Sequence, residues 1–212
     1  KRFGYYIALA SLVLFQHTLI SYGRVSSFDE DFIFARKAFE DKFFDLAKER
    51  LQVLLKEYPE KDEPRLLLGQ TFFYLNKPDE ALKEFNFLAQ NPAGGFLPDA
   101  VYWLGETYFK TGDYKTALGF YQKILDNFPD FSLYDYALYS KGCAFFNLKQ
   151  FDSAGDVFKT VIRKFPRTNL AQDAQFKLAA VLYETKKYKD ARHQLLLFLK
   201  TYPITPSAEE AN

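Results

Sequence analysis

The chain has 212 residues, 48% of them hydrophobic, which supplies ample apolar side chain for a packed interior and excludes a disordered tail. Twenty-eight Lys and Arg against 27 Asp and Glu leave a formal charge of +1, far from the basic excess of a phosphate-binding surface, so nucleic acid is not an expected partner. One cysteine, Cys143, excludes an intramolecular disulfide framework and a cysteine-rich zinc site, so packing alone must stabilise the fold.

At the N-terminus, Lys1 and Arg2 precede an apolar run from Phe3 to Phe15. Gln16, His17 and Thr18 interrupt it before Leu19 and Ile20, and Ser21-Tyr22-Gly23 then places small residues two apart. A basic start, a short apolar stretch and such a site are the layout of a secretory signal, so residues 1–23 are expected to direct export. The uninterrupted run is shorter than the roughly 18 to 20 residues of a membrane-spanning helix. With Leu19 and Ile20 included, residues 3–20 form the alternative, an uncleaved anchor that associates with a membrane. A helix packed on the following structure fits less well, because Lys1 to Ile20 has no clear polar face. No cysteine follows the run, so a lipid-modified N-terminal cysteine is not expected, and the absence of Met even at position 1 suggests a fragment of a longer product.

Beyond this segment the chain repeats. Pro59, Pro92, Pro129, Pro166 and Pro203 are 33, 37, 37 and 37 residues apart. Ala47, Ala81, Ala117, Ala154 and Ala191 run in phase with them, 34, 36, 37 and 37 apart. A period of this length predicts stacked helix pairs, in units of about 28–61, 62–97, 98–134, 135–171 and 172–203 within a domain spanning 24–203. In each first helix a small residue, Ala35, Gly69, Gly105, Gly142 or Ala179, marks a close approach between helices, where overfilling costs roughly 1 to 3 kcal/mol. Three residues later Phe72, Tyr108, Phe145 and Leu182 fill the space between helices, with Ala38 the exception. In each second helix the alanine plays the same part, and Leu51, Phe85, Tyr121, Phe158 and Leu195, four residues on, supply bulk.

The punctuation agrees with that reading. Ser27 with Glu30, and Ser132 with Asp135, read as helix starts. Gly112 suits the left-handed end of a first helix, and Asn76, Lys149 and Lys186 occupy the same turn less comfortably. The prolines close each unit. Gly94-Gly95 lacks a following Lys-Ser or Lys-Thr, so it reads as a turn between units and not as a phosphate cradle. Residues 204–212 read as the start of a further helix, and with no polar terminal helix to seal the stack the chain is expected to continue past Asn212.

The stretch Tyr102-Trp103-Leu104-Gly105-Glu106-Thr107-Tyr108-Phe109, followed by Lys110-Thr111-Gly112-Asp113-Tyr114, resembles a tetratricopeptide repeat. The resemblance covers Phe28 to Pro203 and implies an all-α, right-handed solenoid of about five helix-turn-helix repeats that binds other proteins. In that family a concave groove is lined by residues three before, one after and four after the small residue. Here those are Phe32, Arg36 and Phe39; Leu66, Gln70 and Phe73; Tyr102, Glu106 and Phe109; Tyr139, Cys143 and Phe146; Phe176, Ala180 and Tyr183. Nine of the ten flanking positions are aromatic, so the rings either anchor an extended segment or helix of a partner, or pack between neighbouring units. The chaperone-tail clamp of the family uses Lys, Asn and Arg there, and Arg36, Gln70 and Cys143 do not reproduce it, so acidic chaperone tails are not expected ligands.

The long period, together with Asn127-Phe128-Pro129 and Lys164-Phe165-Pro166, resembles exported repeat proteins of bacterial envelopes, such as the periplasmic Tol-Pal coordinator and the lipoprotein of outer-membrane barrel assembly. The lipoprotein's anchoring cysteine and the coordinator's coiled coil are both missing. The expectation is a non-catalytic scaffold, exported to the periplasm or envelope. Alternatives are the repeat domain of a membrane-anchored regulator or secretion or pilus assembly factor, and an accessory module of a larger enzyme. No catalytic, cofactor or metal site is expected: His17 lies in the signal-like stretch, and His193, between Arg192 and Gln194, reads as a solvated surface residue. Cys143, beside Gly142, reads as a packing residue.

Overall fold

A computed structural model describes residues 27–201, which form ten α-helices, one 3-10 turn and no strand. The helices alternate in pairs. The first helices are α1 (Phe28–Glu40), α3 (Asp62–Tyr74), α5 (Leu97–Lys110), α7 (Tyr134–Asn147) and α9 (Asn169–Glu184). The second helices are α2 (Phe44–Glu57), α4 (Pro78–Ala89), α6 (Tyr114–Asn127), α8 (Phe151–Lys164) and α10 (Tyr188–Thr201), and the 3-10 turn is Pro92–Gly94. The signal or anchor expected over 1–23, Pro203 and the helix start expected over 204–212 lie outside the described residues. No helix among the described residues is long and apolar enough to cross a membrane.

All five turns within pairs close in the same way. Lys42, Asn76, Gly112, Lys149 and Lys186 have φ of 64°, 58°, 87°, 59° and 60°. At each, the next residue's N–H donates to the carbonyl five back, as from Asp113 to Tyr108 at 2.9 Å and from Gln150 to Phe145 at 2.9 Å. The left-handed residue itself donates three back, as from Gly112 to Phe109 at 3.1 Å. These paired bonds satisfy carbonyls that a helix end otherwise leaves bare. Only one turn uses glycine, so the lysines bear the left-handed cost of about 1–2 kcal/mol each.

The second helices stop for a different reason. Tyr58, Phe128 and Phe165 each directly precede a proline and sit at φ/ψ of −128°/65°, −133°/63° and −125°/48°. The proline ring disfavours the helical region for the residue before it. Pro92 acts otherwise: α4 has already ended at Ala89, and Pro92 opens the 3-10 turn, which runs into Gly95 at φ 81°. Ser27 caps α1, its hydroxyl accepting from the Glu30 N–H at 3.3 Å. The expected cap at Ser132 is corrected by the structure. Leu133 precedes α7 with no side-chain cap bond, the Phe128 and Phe131 carbonyls hold the turn, and the Asp135 carboxylate accepts from the Tyr136 N–H.

The chain divides into two compact units, one ending at Pro59 and one beginning at Glu60. In the first, α1 and α2 enclose Phe32, Ala35, Ala38, Ala47, Leu51 and Leu54. In the second, one cluster gathers around Tyr121 and Ile124 and another around Phe158 and Leu178, with Leu125 packed against both. The small-and-large pairing is direct. A Cβ built on Gly69, Gly105 or Gly142 would lie 2.5, 2.8 or 2.7 Å from the ring Cε1 of Phe85, Tyr121 or Phe158, in each case sixteen residues later. Where the small residue is alanine, at Ala35 and Ala179, the residue sixteen later is the narrower Leu51 or Leu195.

Candidate protein-binding face

The first helices of the second unit pack on one another as well as on their own second helices, so α3, α5, α7 and α9 form a layer of their own. The side chains singled out on the first helices of the two units fall into three groups. Phe32 in the first unit and Tyr102 in the second are 5% and 6% exposed, and Leu66 is also buried; these fill the core.

Phe39, Phe73, Phe109, Tyr139 and Phe146 are half-buried. Four rings of the series pack edge-on against the first residue of the following helix: Phe39 on Phe44, Phe109 on Tyr114, Phe146 on Phe151 and Tyr183 on Tyr188, with centroids 5.6, 5.1, 5.5 and 5.4 Å apart. The ring four residues after the small residue therefore clasps the corner of its own pair. At Phe73 the following helix starts with Pro78 instead, and the ring meets Trp103 at 5.3 Å while the Lys110 ammonium lies 4.4 Å above it and donates to the Phe73 carbonyl.

The third group faces solvent. Phe176 and Tyr183 on α9 are 54% and 63% exposed, and two residues outside the sequence-predicted set, Tyr74 on α3 and Tyr136 on α7, are 49% and 47% exposed. Tyr136 lies three residues before Tyr139 and seven before Cys143, so helical periodicity could have found it. Arg36 is exposed, its guanidinium 5.0 Å above the Phe32 ring; Gln70 and Ala180 are partly exposed.

Glu106 is the electrostatic centre of the layer. Its carboxylate accepts from the Tyr121 hydroxyl at 2.8 Å, with the hydroxyls of Ser140 and Tyr102 close by, so α5, α6 and α7 meet there. Burial raises the Glu106 carboxyl above its ordinary value, and the three hydroxyls hold it part of the way down. The Tyr102 and Tyr121 phenols are raised, by burial first and then by the Glu106 charge. Burial likewise raises the Cys143 thiol, so little nucleophilic thiolate forms there.

A family profile described as tetratricopeptide repeat matches residues 66–130. Residues 66–130 are tetratricopeptide repeats. A second profile, described as outer membrane lipoprotein, matches the repeat chain over residues 134–212. No curated protein sequence is significantly similar to it. Among solved structures, a Podospora anserina putative kinesin light chain with nearly identical repeats is 12% identical, with TM-score 0.68, covering 82% of this chain and 96% of that one. MamA from Desulfovibrio magneticus is 16% identical, with TM-score 0.67, covering 79% and 90%. PilF from Pseudomonas aeruginosa is 16% identical, with TM-score 0.67, covering 84% and 78%. At these identities the likeness establishes the solenoid fold, in which helix pairs stack and no pair buries its apolar face alone.

Proposed function

We propose that this repeat protein is a non-catalytic scaffold of the bacterial envelope, which holds partner polypeptides against the layer of first helices. The observation that carries the reading is the set of exposed rings on that layer, Tyr74, Tyr136, Phe176 and Tyr183. Large apolar side chains left in water mark an interaction surface, and aromatic anchors dominate binding energy at such surfaces. The outer membrane lipoprotein profile over residues 134–212 and the signal-like N-terminal sequence support the envelope. Among the sequence-predicted residues of the second unit, Phe176 and Tyr183 are the anchors, Gln70 and Glu106 supply polar contacts, and Phe109 and Phe146 hold the corners from which the face is presented.

The test is photo-crosslinking in the native cell from positions 136 and 180 on the first helices α7 and α9, with Lys123 on the second helix α6 as control. The same partner should be captured from both first-helix positions and not from 123, and Phe176→Glu with Tyr183→Glu should abolish capture at an unchanged melting temperature. Equal capture from position 123, or capture that survives the double substitution, overturns the proposal.

A further inference from the structure

The last two helix pairs depart from their predecessors at one place away from the aromatic face. A cavity of about 340 Å³ opens between α8, α9 and α10. Ile162, Leu178 and Leu197 give it an apolar lining, Lys159 and Arg163 stand beside it on α8, and Gln175 and Gln194 present amides to it.

Comparison with the positions 37 residues earlier explains the opening. There Lys141 spans the gap and donates to the Gln122 side-chain oxygen at 2.6 Å. Here Leu178 replaces that lysine, Lys159 replaces Gln122 and Arg163 replaces Asp126, so the filler is lost and the charge beside it becomes positive. At a third position, Leu138, 7% exposed, is succeeded by Gln175, also 7% exposed. The Gln175 amide lines the opening, where a polar group of a ligand can reach it. Lys159 makes only a loose exposed pair with Asp156 at 3.1 Å, and the exposed Arg163 faces no acidic partner among the described residues.

We propose that this cavity is a second docking site, distinct from the aromatic layer, for a partner polypeptide segment carrying an acidic side chain next to apolar ones. The carboxylate sits between Lys159 and Arg163, the apolar side chains cover Ile162, Leu178 and Leu197, and a polar group of the segment bonds to the Gln175 amide. The volume lies at the lower end of the roughly 300–1,000 Å³ of ligand pockets, room for a few side chains. Charge complementarity selects the acidic partner, and an inorganic anion would leave the apolar lining in water.

The probe is a short fluorescein-labelled peptide of alternating Glu-Glu and Leu-Leu blocks, followed by anisotropy, against a counterpart with Lys in place of every Glu. The acidic peptide should bind at least about tenfold more tightly than the basic one. Lys159→Gln with Arg163→Asp, which installs the exposed residues of the preceding pair, should weaken binding by about tenfold or more at an unchanged melting temperature. Leu178→Lys, which refills the gap, should weaken it equally. Absence of acidic-peptide binding, equal binding of the basic peptide, or unchanged binding to the double variant overturns the proposal. Displacement by octanoate at the peptide's own concentration also overturns it, because the site would then take a free amphiphilic anion.

Discussion

Gly142→Ala tests the packing rule on which the solenoid depends. A methyl group there would lie 2.7, 3.0 and 3.2 Å from Cε1, Cδ1 and Cζ of Phe158. These three atoms run along one edge of a ring that is 0% exposed and enclosed by Leu138, Val161 and Leu178, so no single small displacement relieves the clash. Overfilling of this kind costs about 2–3 kcal/mol, the upper part of the usual range. Alanine recovers about 1 kcal/mol of helix propensity, leaving a net loss of about 1–2 kcal/mol, or roughly 2–8 °C in Tm for a chain of this size. Phe158→Leu alone should cost about 1–2 kcal/mol through lost burial. Together the two substitutions recreate the combination at Ala35 with Leu51, and the double variant should be more stable than additivity predicts by about 1 kcal/mol or more. Urea unfolding followed by circular dichroism gives the four midpoints. The reasoning fails if Gly142→Ala is as stable as the parent, or if the two effects add to within about 0.5 kcal/mol.

Lys149→Gly should stabilise by about 0.5–1 kcal/mol, because the residue sits at φ 59° where a Cβ is penalised and the entropy cost of glycine offsets only part of the gain; a thermal melt with no upward shift contradicts this. Arg65→Met should destabilise by about 3–5 kcal/mol, since it strands Glu84, 9% exposed and held at 2.9 Å by the guanidinium. Adding Glu84→Leu should restore most of that loss, and urea midpoints of the two variants decide it. Glu106→Gln should be more stable than the parent at about pH 7. The folded carboxyl is raised by burial above the ordinary 4.5, so its charged form opposes folding above the folded value; that opposition lifts as pH falls through the folded value and is gone below about 4.5. The gap between variant and parent should therefore close towards about pH 4, and a gap constant with pH in urea titrations would count against the assignment.

The repeat architecture was legible because each pair carries its own rules. The proline spacing, the small residue of each first helix and the bulky residue sixteen later act between helices adjacent in sequence, and Gly69, Gly105 and Gly142 meet Phe85, Tyr121 and Phe158 accordingly. The misread cap at Ser132 shows the limit of that local logic. A hydroxyl three residues before a carboxylate is a sound start signal, yet the bonds to the Phe128 and Phe131 carbonyls set the turn and leave Leu133 to precede the helix.

The candidate face was only partly legible. Nine aromatic positions look alike in the sequence, but Tyr102 is 6% exposed and Tyr183 63%. Equivalent positions can also diverge: Leu195 is 39% exposed, whereas Leu51, Phe85, Tyr121 and Phe158 are fully buried. The cavity beside Leu178 was not foreseen either, although the exchange of Lys141 for Leu178 was there to be seen once the helices were known to meet.

From its sequence alone this protein was determined to be a stack of paired helices, because the period and the matching of small to large residues govern contacts within each pair. The tertiary structure alone decided which rings face water and where a gap opens, because burial is set by what the neighbouring pairs lay over each position, and that depends on side chains dozens of residues away.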